Sequence, residues 1–429
     1  MAFKVGILGL GTVGTGTVQL LLDPIGRQAL LEEVEVYQVG VKSPAKPRAV
    51  TLPDGVITTK LEDIVSDPAV DIVVELLGGL EPARSLILQA ISHGKHIVTA
   101  NKAVIARYGD EIFTAANAAG VYVMLEAAVG GGIPVIQPLK QSLSVNRITA
   151  ITGIVNGTTN YILTAMRDRG SDFADVLAEA QKLGYAEADP TADVDGLDAA
   201  DKIAILASLA FGGRVKLQDV YCEGIRHVSK ADIDYAQKLG FVIKLLAIAK
   251  KSHPSSPNIS LRVHPTLVPQ CHPLASINGV YNAILVEGEP IGQVMFFGPG
   301  AGAGATASAV VSDILAIAAV LKTDPAKPHS LMSCSHQEYC EKSPMEDLVT
   351  RFYARFLTQD HPGVIGKLGT CFGAHRVSLE SVVQTGIHDN LAEIVVVTHD
   401  VREGDFHASL DEIRTLPAIN SIPSLLRVL

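Results

Sequence analysis

The first residues of the chain carry the feature that most restricts how it can fold. A short apolar run over residues 3–8 ends in Gly9, Gly11 and Gly14, and an amphipathic segment follows to about residue 22. A strand that passes through G-x-G-x-x-G into a helix is typical of a dinucleotide-binding turn. Its glycines allow a tight turn, a close approach of pyrophosphate to the backbone, and close packing of helix on strand. Because strand, glycines and helix occur together here, the pattern predicts dinucleotide binding rather than a glycine-rich turn without a ligand.

The rest of the first third alternates between buried-type strands and helical segments. Apolar strand-like runs cover residues 34–41, 71–77, 96–100 and 121–125, and a helix-like stretch covers residues 81–92. Near-continuous apolar strands that alternate with helices are typical of a parallel sheet covered on both faces. The sequence therefore predicts an α/β chain whose first domain, residues 1–140, is a Rossmann-type doubly wound domain.

Charges after the second strand bear on which nicotinamide cofactor this domain prefers. NAD binding usually places a carboxylate at the end of that strand, where it holds the ribose 2′-hydroxyl. Here the glutamates at positions 32, 33 and 35 precede the strand or begin it, whereas Lys42, Lys46 and Arg48 follow it. Cations without a carboxylate suit a 2′-phosphate, so the sequence favours NADP. The alternative is that these residues are ordinary solvated surface charges.

Two lysines lie at positions that favour a catalytic role. Lys102 follows the strand at residues 96–100, and the ligand crevice of an open α/β sheet lies at the carboxyl ends of its strands. Lys202 comes four residues after Asp198 in a helix rich in Ala, Ile and Leu, predicted from about residue 196 to 211. Such i,i+4 pairs are often simple helix decoration. The Ala, Ile and Leu content predicts that this helix is buried on most sides. A buried lysine beside a carboxylate can also serve in proton transfer, and the residues alone leave both interpretations open.

Two glycine-rich loops each allow a structural and a functional interpretation. The first loop, residues 130–132, runs into Pro134 after a strand. Its carbonyl groups could bind a hard cation, although a structural turn is the simpler interpretation. The second loop, residues 298–306, precedes an apolar helix predicted to end near Leu321. Approach to a cofactor and close helix packing both explain this second loop.

Together, several motifs resemble those of homoserine dehydrogenases, in the monofunctional form that has a C-terminal regulatory domain. The resemblance covers essentially the whole chain and depends on residues 100–102 (ANK), 126–134 (EAAVGGGIP), 156–161 (NGTTNY), 184–187 (GYAE) continuing to Asp198 and Lys202, and 300–307 (GAGAGATA). It implies reversible hydride transfer between NAD(P)H and L-aspartate 4-semialdehyde, which gives L-homoserine. That reaction belongs to threonine, methionine and isoleucine biosynthesis.

The resemblance also implies roles for individual side chains. Lys202 is implied as the general acid that protonates the carbonyl oxygen, and as the base in the reverse direction. Lys102 is implied to assist at the junction of cofactor and substrate. Glu187 is implied to bind the substrate ammonium group, and Asp198 to hold the substrate and orient Lys202.

A structural sodium ion and a set of cofactor contacts follow from the same motifs. The resemblance implies that backbone carbonyls bind the sodium, at Glu126, Val129, Gly131 and Ile133. The predicted cofactor contacts are Gly9, Gly11, Thr12, Val13, Gly14, Lys42, Lys102 and Gly302. The family usually has an arginine just after the second strand, and Lys42 occupies roughly that place here, which leaves NAD as the second possible cofactor.

The C-terminal part predicts a separate regulatory domain. Residues 323–347 lose periodicity and hold three prolines, which predicts a linker. Residues 348–429 then follow the order strand, helix, strand, strand, helix, strand. This βαββαβ order resembles an ACT domain with Asp360 and Gly363 in its ligand loop, and it implies L-threonine as the effector. The alternative is a dimerisation module without a ligand.

Residues 141–322 remain as an α+β substrate-binding and dimerisation domain.

Composition limits the other classes of function. The chain has 429 residues, a formal net charge of −10 and no basic tract, which argues against nucleic acid or an anionic membrane as a partner. We expect no membrane-spanning segment, because no apolar run approaches the roughly 20 residues required. Five widely spaced cysteines favour reduced thiols in a cytoplasmic protein. Cys334, His336 and Cys340 fall in the linker without a fourth ligand, so a reduced loop is preferred to a metal site.

Two alternatives to this enzyme stay open from the sequence. The first is a non-catalytic, NADP-dependent amino-acid sensor. The pair Asp198 and Lys202, together with Glu187, argues against it, since a sensor needs no proton donor in a substrate pocket. The second alternative is a dehydrogenase of similar architecture that acts on another amino-acid semialdehyde. For any of these, a homodimer or homotetramer is expected.

Overall fold

A computed structural model describes most of the chain. The described residues are 2–253, 256–323, 329–334, 336, 338–388 and 391–429, with the backbone alone described over 385–388. Part of the predicted linker, residues 324–328, 335 and 337, therefore lies outside the described residues. The contacts of the chain divide it into two units. Unit 1 comprises Met1–Ile151, Asp201–Gln218 and Asn282–Cys340, and unit 2 comprises Thr152–Ala200, Asp219–Tyr281 and Glu341–Leu429.

The helices and strands fall into three groups along the chain. The first group is β1 (Phe3–Leu8), α1 (Thr12–Leu22), β2 (Val34–Gly40), β3 (Ile57–Thr58), α2 (Leu61–Ser66), β4 (Ile72–Glu75), α3 (Ala83–Ser92), β5 (His96–Thr99), α4 (Lys102–Ala119), β6 (Val123–Met124), α5 (Ile136–Lys140) and β7 (Arg147–Ile154). The second is α6 (Gly157–Arg169), α7 (Phe173–Lys182), α8 (Thr191–Val194), α9 (Leu197–Phe211), β8 (Tyr221–Cys222), α10 (Lys230–Lys238), β9 (Phe241–Lys251), β10 (Asn258–Pro269), β11 (Tyr281–Glu289), β12 (Gly292–Pro299) and α11 (Ala303–Thr323). The last is β13 (Glu341–Lys342), β14 (Val349–Gln359), α12 (Val364–Ala374), β15 (Leu379–His388), β16 (Leu391–Thr398), β17 (Val401–Arg402), α13 (Glu403–Arg414) and β18 (Ile419–Val428).

Unit 1 contains a parallel sheet that confirms the predicted Rossmann-type fold. Its strand order is β3-β2-β1-β4-β5-β6, so strand order reverses between β1 and β4. Val5 and Ile7 of β1 lie with Val74 and Val98 in one apolar core, which explains why these strands read as nearly continuous hydrophobic runs. In such sheets, ligands bind outside the carboxyl ends of the strands where the order reverses. The ends of β1, β4 and β5 therefore define where the cofactor side of unit 1 lies.

Helix α11 corrects one expectation. An 18-residue window of this helix has a mean hydropathy of 1.9, so by length and composition it is apolar enough to cross a membrane. The prediction that no apolar run approaches this length is therefore wrong. Half of that window is buried inside the protein, where Val310, Ile314 and Ile317 belong to the core of unit 1. Helix α11 has the features of a core helix, because its long apolar surface packs on α1 and β5 of the same unit.

Unit 2 contains the C-terminal domain, and its order of elements confirms the predicted ACT fold. Elements β14, α12, β15, β16, α13 and β18 form the βαββαβ pattern, with sheet order β18-β14-β16-β15. Phe352 on β14 stacks on Phe406 of α13, with ring centroids 4.1 Å apart, in a core that also holds Phe356 and Phe372. The final strand, β18, begins at residue 419, and its less apolar first half also pairs with β14.

A buried polar network fastens the ACT sheet to helix α10 within unit 2. The Arg355 Nε–H donates to Oδ1 of Asp232 at 2.8 Å, and its Nη1 donates to Oε1 of Glu393 at 2.7 Å. The Tyr235 hydroxyl donates to the second oxygen of Glu393 at 2.7 Å, and the Tyr353 hydroxyl donates to Asp232. Asp232 is fully buried, so its charge depends on these donors.

Candidate active site

The glycine turn between β1 and α1 has a backbone suited to a bound diphosphate. Gly9 has a φ of 103°, and its N–H donates to the Gly40 carbonyl at 2.9 Å, which holds the turn against the end of β2. A Cβ atom at Gly14 would lie 2.2 Å from the Gly9 carbonyl oxygen, whereas one at Gly11 would meet nothing within 4 Å. The first N–H groups of α1, which begins at Thr12, have no intrahelical acceptor and point at this open side.

The cations in the loop after β2 differ in their contacts. The Arg48 guanidinium donates to three backbone carbonyls of residues 43–46 at 2.6 to 3.0 Å, so it organises its own loop. Lys42 is exposed just beyond the end of β2. Glu33 lies before β2, and its carboxylate pairs with Lys322 at 2.5 Å. Arg48 is therefore engaged within its own loop, whereas the side chains of Lys42 and Lys46 are exposed.

A buried carboxylate at the end of β4 fixes the chain segment that leads into Lys102. Glu75 is fully buried; its Oε2 accepts the Thr99 hydroxyl at 2.7 Å and its Oε1 accepts the Leu77 N–H at 2.8 Å. The Thr99 hydroxyl oxygen accepts the N–H of Asn101, and the Asn101 side chain caps α4 by accepting the Val104 N–H at 3.2 Å. This chain of bonds fixes where α4 begins, and Lys102 is its first residue.

Helix α9 carries Lys202 and is joined to α4 within unit 1. Arg107 on α4 donates through Nη1 to Oδ1 of Asp201 on α9, at 2.9 Å. Lys202 is only 9% exposed, in a helix whose other residues from 199 to 207 are also buried. The burial predicted for this helix is confirmed. Asp198 precedes Lys202 by one helical turn, so the two residues lie on the same face of α9.

The two glycine-rich loops pack directly on each other, so their glycines have a structural role in close backbone packing. A Cβ atom at Gly131 would lie 2.4 Å from the Gly300 carbonyl oxygen, and one at Gly132 would lie 2.8 Å from the Ala305 side chain. Gly16 of α1 is equally close to α11, since its Cβ would lie 2.9 Å from the Ala303 carbonyl oxygen. The glycines therefore allow three backbone segments of unit 1 to meet. Gly302, with a φ of 126°, lies between Gly300 and Ala303 in the chain, and a Cβ atom there would meet nothing within 4 Å.

The carboxylate of Glu126 fixes the loop that follows β6. Its two oxygens accept three backbone N–H groups, from Val135 at 2.6 Å, Ile136 at 2.8 Å and Gln137 at 2.7 Å. Asp313 of α11 accepts the backbone N–H of Glu126 at 2.7 Å. Burial raises the pKa of Glu126, and burial with the nearby Glu126 charge raises the pKa of Asp313 to about 7. A local carboxylate network therefore holds both ends of the loop.

The backbone of this loop fits a monovalent cation. Gly130 and Gly131 have positive φ values of 74° and 57°, which turn successive carbonyl groups to one side. In the described part of the chain, no hydrogen bond is accepted by the carbonyl oxygens of Val129, Gly131 or Ile133. Buried carbonyl oxygens without a donor are the ligands that a hard cation requires. The Glu126 side chain is used in capping α5, so a cation here would meet its carbonyl group and not its carboxylate.

In unit 2, two carboxylates converge on a single amide. Asn156, just before α6, donates through Nδ2 to Oδ1 of Asp193 at 2.7 Å and to Oδ2 of Asp198 at 2.9 Å. Asp198 is buried near the start of α9. Asp193 and Asp198 are thus brought together beside the start of α6.

Glu187 lies in the exposed loop between α7 and α8. Gln181 of α7 donates to the carbonyls of Glu187 and Ala188 at 3.0 and 3.2 Å, so the loop backbone is held from the preceding helix. The Thr158 hydroxyl donates to the Tyr185 carbonyl at 2.6 Å, which ties the same loop to the first turn of α6. Within the described residues, the Glu187 carboxylate accepts no hydrogen bond, which leaves it available to a cationic ligand.

The ACT domain has a cavity at the start of α12. The cavity has a volume of about 200 Å³, and Asp360 and Gly363 line it together with residues of β14 and β16. Gly363 has a φ of 90° at the N-cap position, a backbone conformation that favours glycine. The two predicted effector residues therefore share one concave surface.

The described part of the predicted linker places a cysteine beside a histidine. Cys334 Sγ and His336 Nδ1 lie 3.7 Å apart, and burial lowers the pKa of His336. All five cysteines are free thiols. No group of three or more metal-ligating side chains occurs among the described residues.

Comparison with known proteins identifies the chain's relatives. The NAD-binding domain of homoserine dehydrogenase matches residues 9–126, the homoserine dehydrogenase family proper matches residues 134–315, and the ACT domain matches residues 352–418. A homoserine dehydrogenase from Synechocystis sp. is 67% identical over 432 residues, which span 100% of both chains. The chain belongs to the homoserine dehydrogenase family.

Solved structures of this family agree with the fold. A homoserine dehydrogenase from Thiobacillus denitrificans superposes with a TM-score of 0.93 at 42% identity, covering 100% of this chain and 98% of the other. A hyperthermophilic archaeal homoserine dehydrogenase in complex with NADPH has a TM-score of 0.64 at 28% identity, covering 76% of this chain and 99% of the other. As a member of the homoserine dehydrogenase family, the chain is an oxidoreductase with an NAD-binding domain, a catalytic domain and an ACT domain.

Several residues that organise the site were not singled out by the sequence. Glu75 and Asp313 are charged residues inside otherwise apolar runs, and that contrast is a signal that could have identified them. Arg107 gave no comparable signal, because its partner lies 94 residues away in the chain. Asn156 belongs to a motif that carries the resemblance, but its role was not predicted, because its partner Asp198 lies 42 residues away.

Proposed function

We propose that this chain catalyses the reversible NADPH-dependent reduction of L-aspartate 4-semialdehyde to L-homoserine. The observation that carries the proposal is the buried helix α9, on which Lys202 follows the carboxylate of Asp198 by one turn. The family to which the chain belongs supports the same reaction. This reaction would serve threonine, methionine and isoleucine biosynthesis.

Reduction of an aldehyde requires a proton as well as a hydride. When bound, the reduced nicotinamide supplies the hydride to the aldehyde carbon. Lys202 Nζ then donates a proton to the carbonyl oxygen, where negative charge develops, and it takes that proton back during homoserine oxidation. Lys102, at the positive N-terminal end of α4, adds a second positive charge that stabilises the same oxygen.

An amino-acid substrate also needs a partner for its ammonium group. Glu187 and Asp198 are the carboxylates proposed for this role, Glu187 because it is exposed in a loop held by α6 and α7. Two charge-assisted hydrogen bonds to one ammonium group would orient the aldehyde carbon toward the nicotinamide. A semialdehyde without the amino group would lose this orientation.

The proposed cofactor is NADP, with NAD as the weaker alternative. The open glycine turn supports dinucleotide binding through Gly9, Gly11, Thr12, Val13 and Gly14, and the open space at Gly302 is consistent with a further cofactor contact. Lys42 supports the preference for a 2′-phosphate, since it is an exposed cation at the end of β2. The archaeal relative in complex with NADPH fits this assignment.

A sodium ion is proposed for the loop after β6. The carbonyl groups of Glu126, Val129, Gly131 and Ile133 would bind it, and the ion would stabilise the packing of the two glycine loops. The ion would hold loop geometry, while the proton transfer would remain with Lys202.

Three further assignments complete the proposal. L-Threonine is proposed as an effector in the ACT cavity at Asp360 and Gly363. A homodimer or homotetramer is proposed because β12 is a terminal strand of its sheet and exposes Met295 and Phe297, the latter 54% exposed. A cytoplasmic location fits the free cysteines. The proposed domains are residues 1–140, 141–322 and 348–429, with 323–347 as linker.

The test is a spectrophotometric assay of NADPH and NADH oxidation with L-aspartate 4-semialdehyde, with and without L-threonine. The proposal expects rapid oxidation of NADPH, slower oxidation of NADH and suppression by threonine. Folded protein that binds NADPH yet oxidises neither cofactor would favour the sensor function. Faster turnover with another amino-acid semialdehyde would favour a different dehydrogenase.

A further inference from the structure

Asn156 makes more side-chain hydrogen bonds than its place at a helix end requires. Its Oδ1 accepts the Thr159 backbone N–H and the Thr159 hydroxyl, both at 2.9 Å, which is the ordinary capping arrangement for α6. Its Nδ2 donates to Asp193 at 2.7 Å and to Asp198 at 2.9 Å. The residue is 5% exposed, so all four bonds are made away from bulk water.

The Thr159 contacts fix which way the amide faces. The Thr159 N–H can only donate, so the atom that it meets must be the carbonyl oxygen of Asn156. The NH₂ group is therefore on the opposite side, where its two protons meet one carboxylate oxygen each. Helix capping alone would be served equally by serine or aspartate, neither of which carries an NH₂ group. The amide thus has a second role that capping does not explain.

We propose that Asn156 is a positioning residue, which holds Asp193 and Asp198 side by side as two carboxylates ready to receive the substrate ammonium group. This inference rests on the proposed function, since it takes Asp198 as a substrate-binding group. A neutral donor with two N–H bonds offsets the repulsion between the carboxylates without placing a charge between them. One oxygen of each carboxylate is then held in place by the amide.

Through Asn156, the two carboxylates are also attached to helix α6. Asn156 precedes the first turn of α6, and the buried residues of that helix include Thr159, Ile162 and Leu163. A carboxylate held by such an amide has fewer orientations to lose when substrate binds. Asp198 itself lies in the first turn of α9, the helix that continues to Lys202.

The test compares two substitutions that keep the cap but change the donor. Asn156→Asp keeps the acceptor for Thr159 and replaces the NH₂ group by a carboxylate oxygen, which places three carboxylates together. Asn156→Ser also keeps the cap and removes the donor without adding charge. We expect the KM for L-homoserine to rise roughly 100-fold in N156D and about tenfold in N156S. The NADPH Kd should stay within about twofold of the wild-type value in both, because the cofactor contacts lie elsewhere.

Asn146→Asp is the matched control, since the Asn146 amide donates to the Leu143 carbonyl in a turn and to no carboxylate among the described residues. Its homoserine KM should equal that of the wild type. Thermal unfolding of all variants shows whether each is folded, and N156S covers the case in which N156D does not fold. Folded N156D and N156S proteins with unchanged homoserine KM would overturn the positioning role alone. A folded wild-type protein that does not oxidise homoserine would overturn the proposed function and this role with it.

Discussion

A hydrogen bond between Arg107 and Asp201 joins helix α4, which begins at Lys102, to helix α9, which contains Lys202. The Arg107 guanidinium donates to the Asp201 carboxylate at 2.9 Å; Arg107 lies five residues after Lys102 on α4, and Asp201 immediately precedes Lys202 on α9. The Asp201 side chain is only 9% exposed, so the bond is shielded from water on one side. This bond restrains the relative placement of α4 and α9 within unit 1.

The first prediction follows from that bond. Arg107→Met should keep most of the packing of the arginine stem and lose the bond to Asp201. We expect kcat/KM for homoserine oxidation to fall roughly tenfold, because small displacements of catalytic groups cost rate steeply. Arg27→Met is the control, since Arg27 forms an exposed pair with Asp23 far from either lysine in sequence. Equal activity of R107M and R27M in the steady-state assay would contradict the role given to this bond.

The second prediction concerns cofactor choice. Lys42→Ala removes the exposed cation at the end of β2 and should raise the KM for NADPH about tenfold while leaving the KM for NADH nearly unchanged. Lys60→Ala, at an exposed lysine before α2, provides the control and should change neither constant. Parallel loss of affinity for both cofactors in K42A would show that Lys42 does not contact a 2′-phosphate.

The third prediction is a pH dependence of stability that arises at His96. The ring nitrogen Nδ1 accepts the Tyr122 N–H at 3.0 Å, and burial lowers the pKa of His96 to about 4. Between about pH 6.5 and 4 the unfolded chain gains a proton on this histidine that the folded protein does not bind. The free energy of unfolding should therefore decrease as pH falls through that window, by at most about 1.4 kcal/mol per pH unit.

Substitution at His96 should remove this dependence. Asn can place an oxygen near the position of Nδ1, so His96→Asn keeps the acceptor for Tyr122 but cannot titrate. Denaturant unfolding at several pH values should show a flatter acid limb for H96N, whereas His93→Asn, at an exposed neighbour, should retain the wild-type slope. Identical slopes for H96N and the wild type would assign the acid sensitivity to other groups.

The fourth prediction concerns the buried network of the ACT sheet. Arg355→Met would leave the carboxylates of Asp232 and Glu393 without their cation inside unit 2. We expect the free energy of unfolding to fall by about 3–5 kcal/mol, because an uncompensated buried charge is costly. Arg169→Met removes an exposed pair with Glu179 and should cost less than about 1 kcal/mol. Comparable losses in the two variants, measured by denaturant unfolding, would contradict this assignment.

Local pattern predicted the parts of the molecule that depend on neighbouring residues. The glycine turn at Gly9 and the βαββαβ order of the ACT domain were predicted correctly, since strand periodicity and turn residues act over a few positions. The burial of the helix that carries Lys202 was also predicted, from its Ala, Ile and Leu content.

Contacts between distant segments could not be predicted in this way. Asp313 accepts the Glu126 N–H across 187 residues of sequence, and nothing in either segment indicates the other. The close packing of Gly131 on Gly300 could not be predicted either, because these residues also lie far apart in the sequence. The apolar length of α11 was underestimated, because Asp313 interrupts an otherwise apolar sequence. In the folded protein the Asp313 carboxylate accepts hydrogen bonds from Glu126 and Gln137, which the sequence does not reveal.

The most direct test of the central claim is the turnover of Lys202→Ala with homoserine and NADP, measured beside NADPH binding by fluorescence. If Lys202 is the general acid and base, kcat should fall roughly 10²- to 10⁴-fold while the NADPH Kd stays within about twofold of the wild-type value. Lys182→Ala, at an exposed lysine of α7, should leave both quantities unchanged. A K202A enzyme that keeps the wild-type kcat would contradict the assignment of Lys202 as the proton donor.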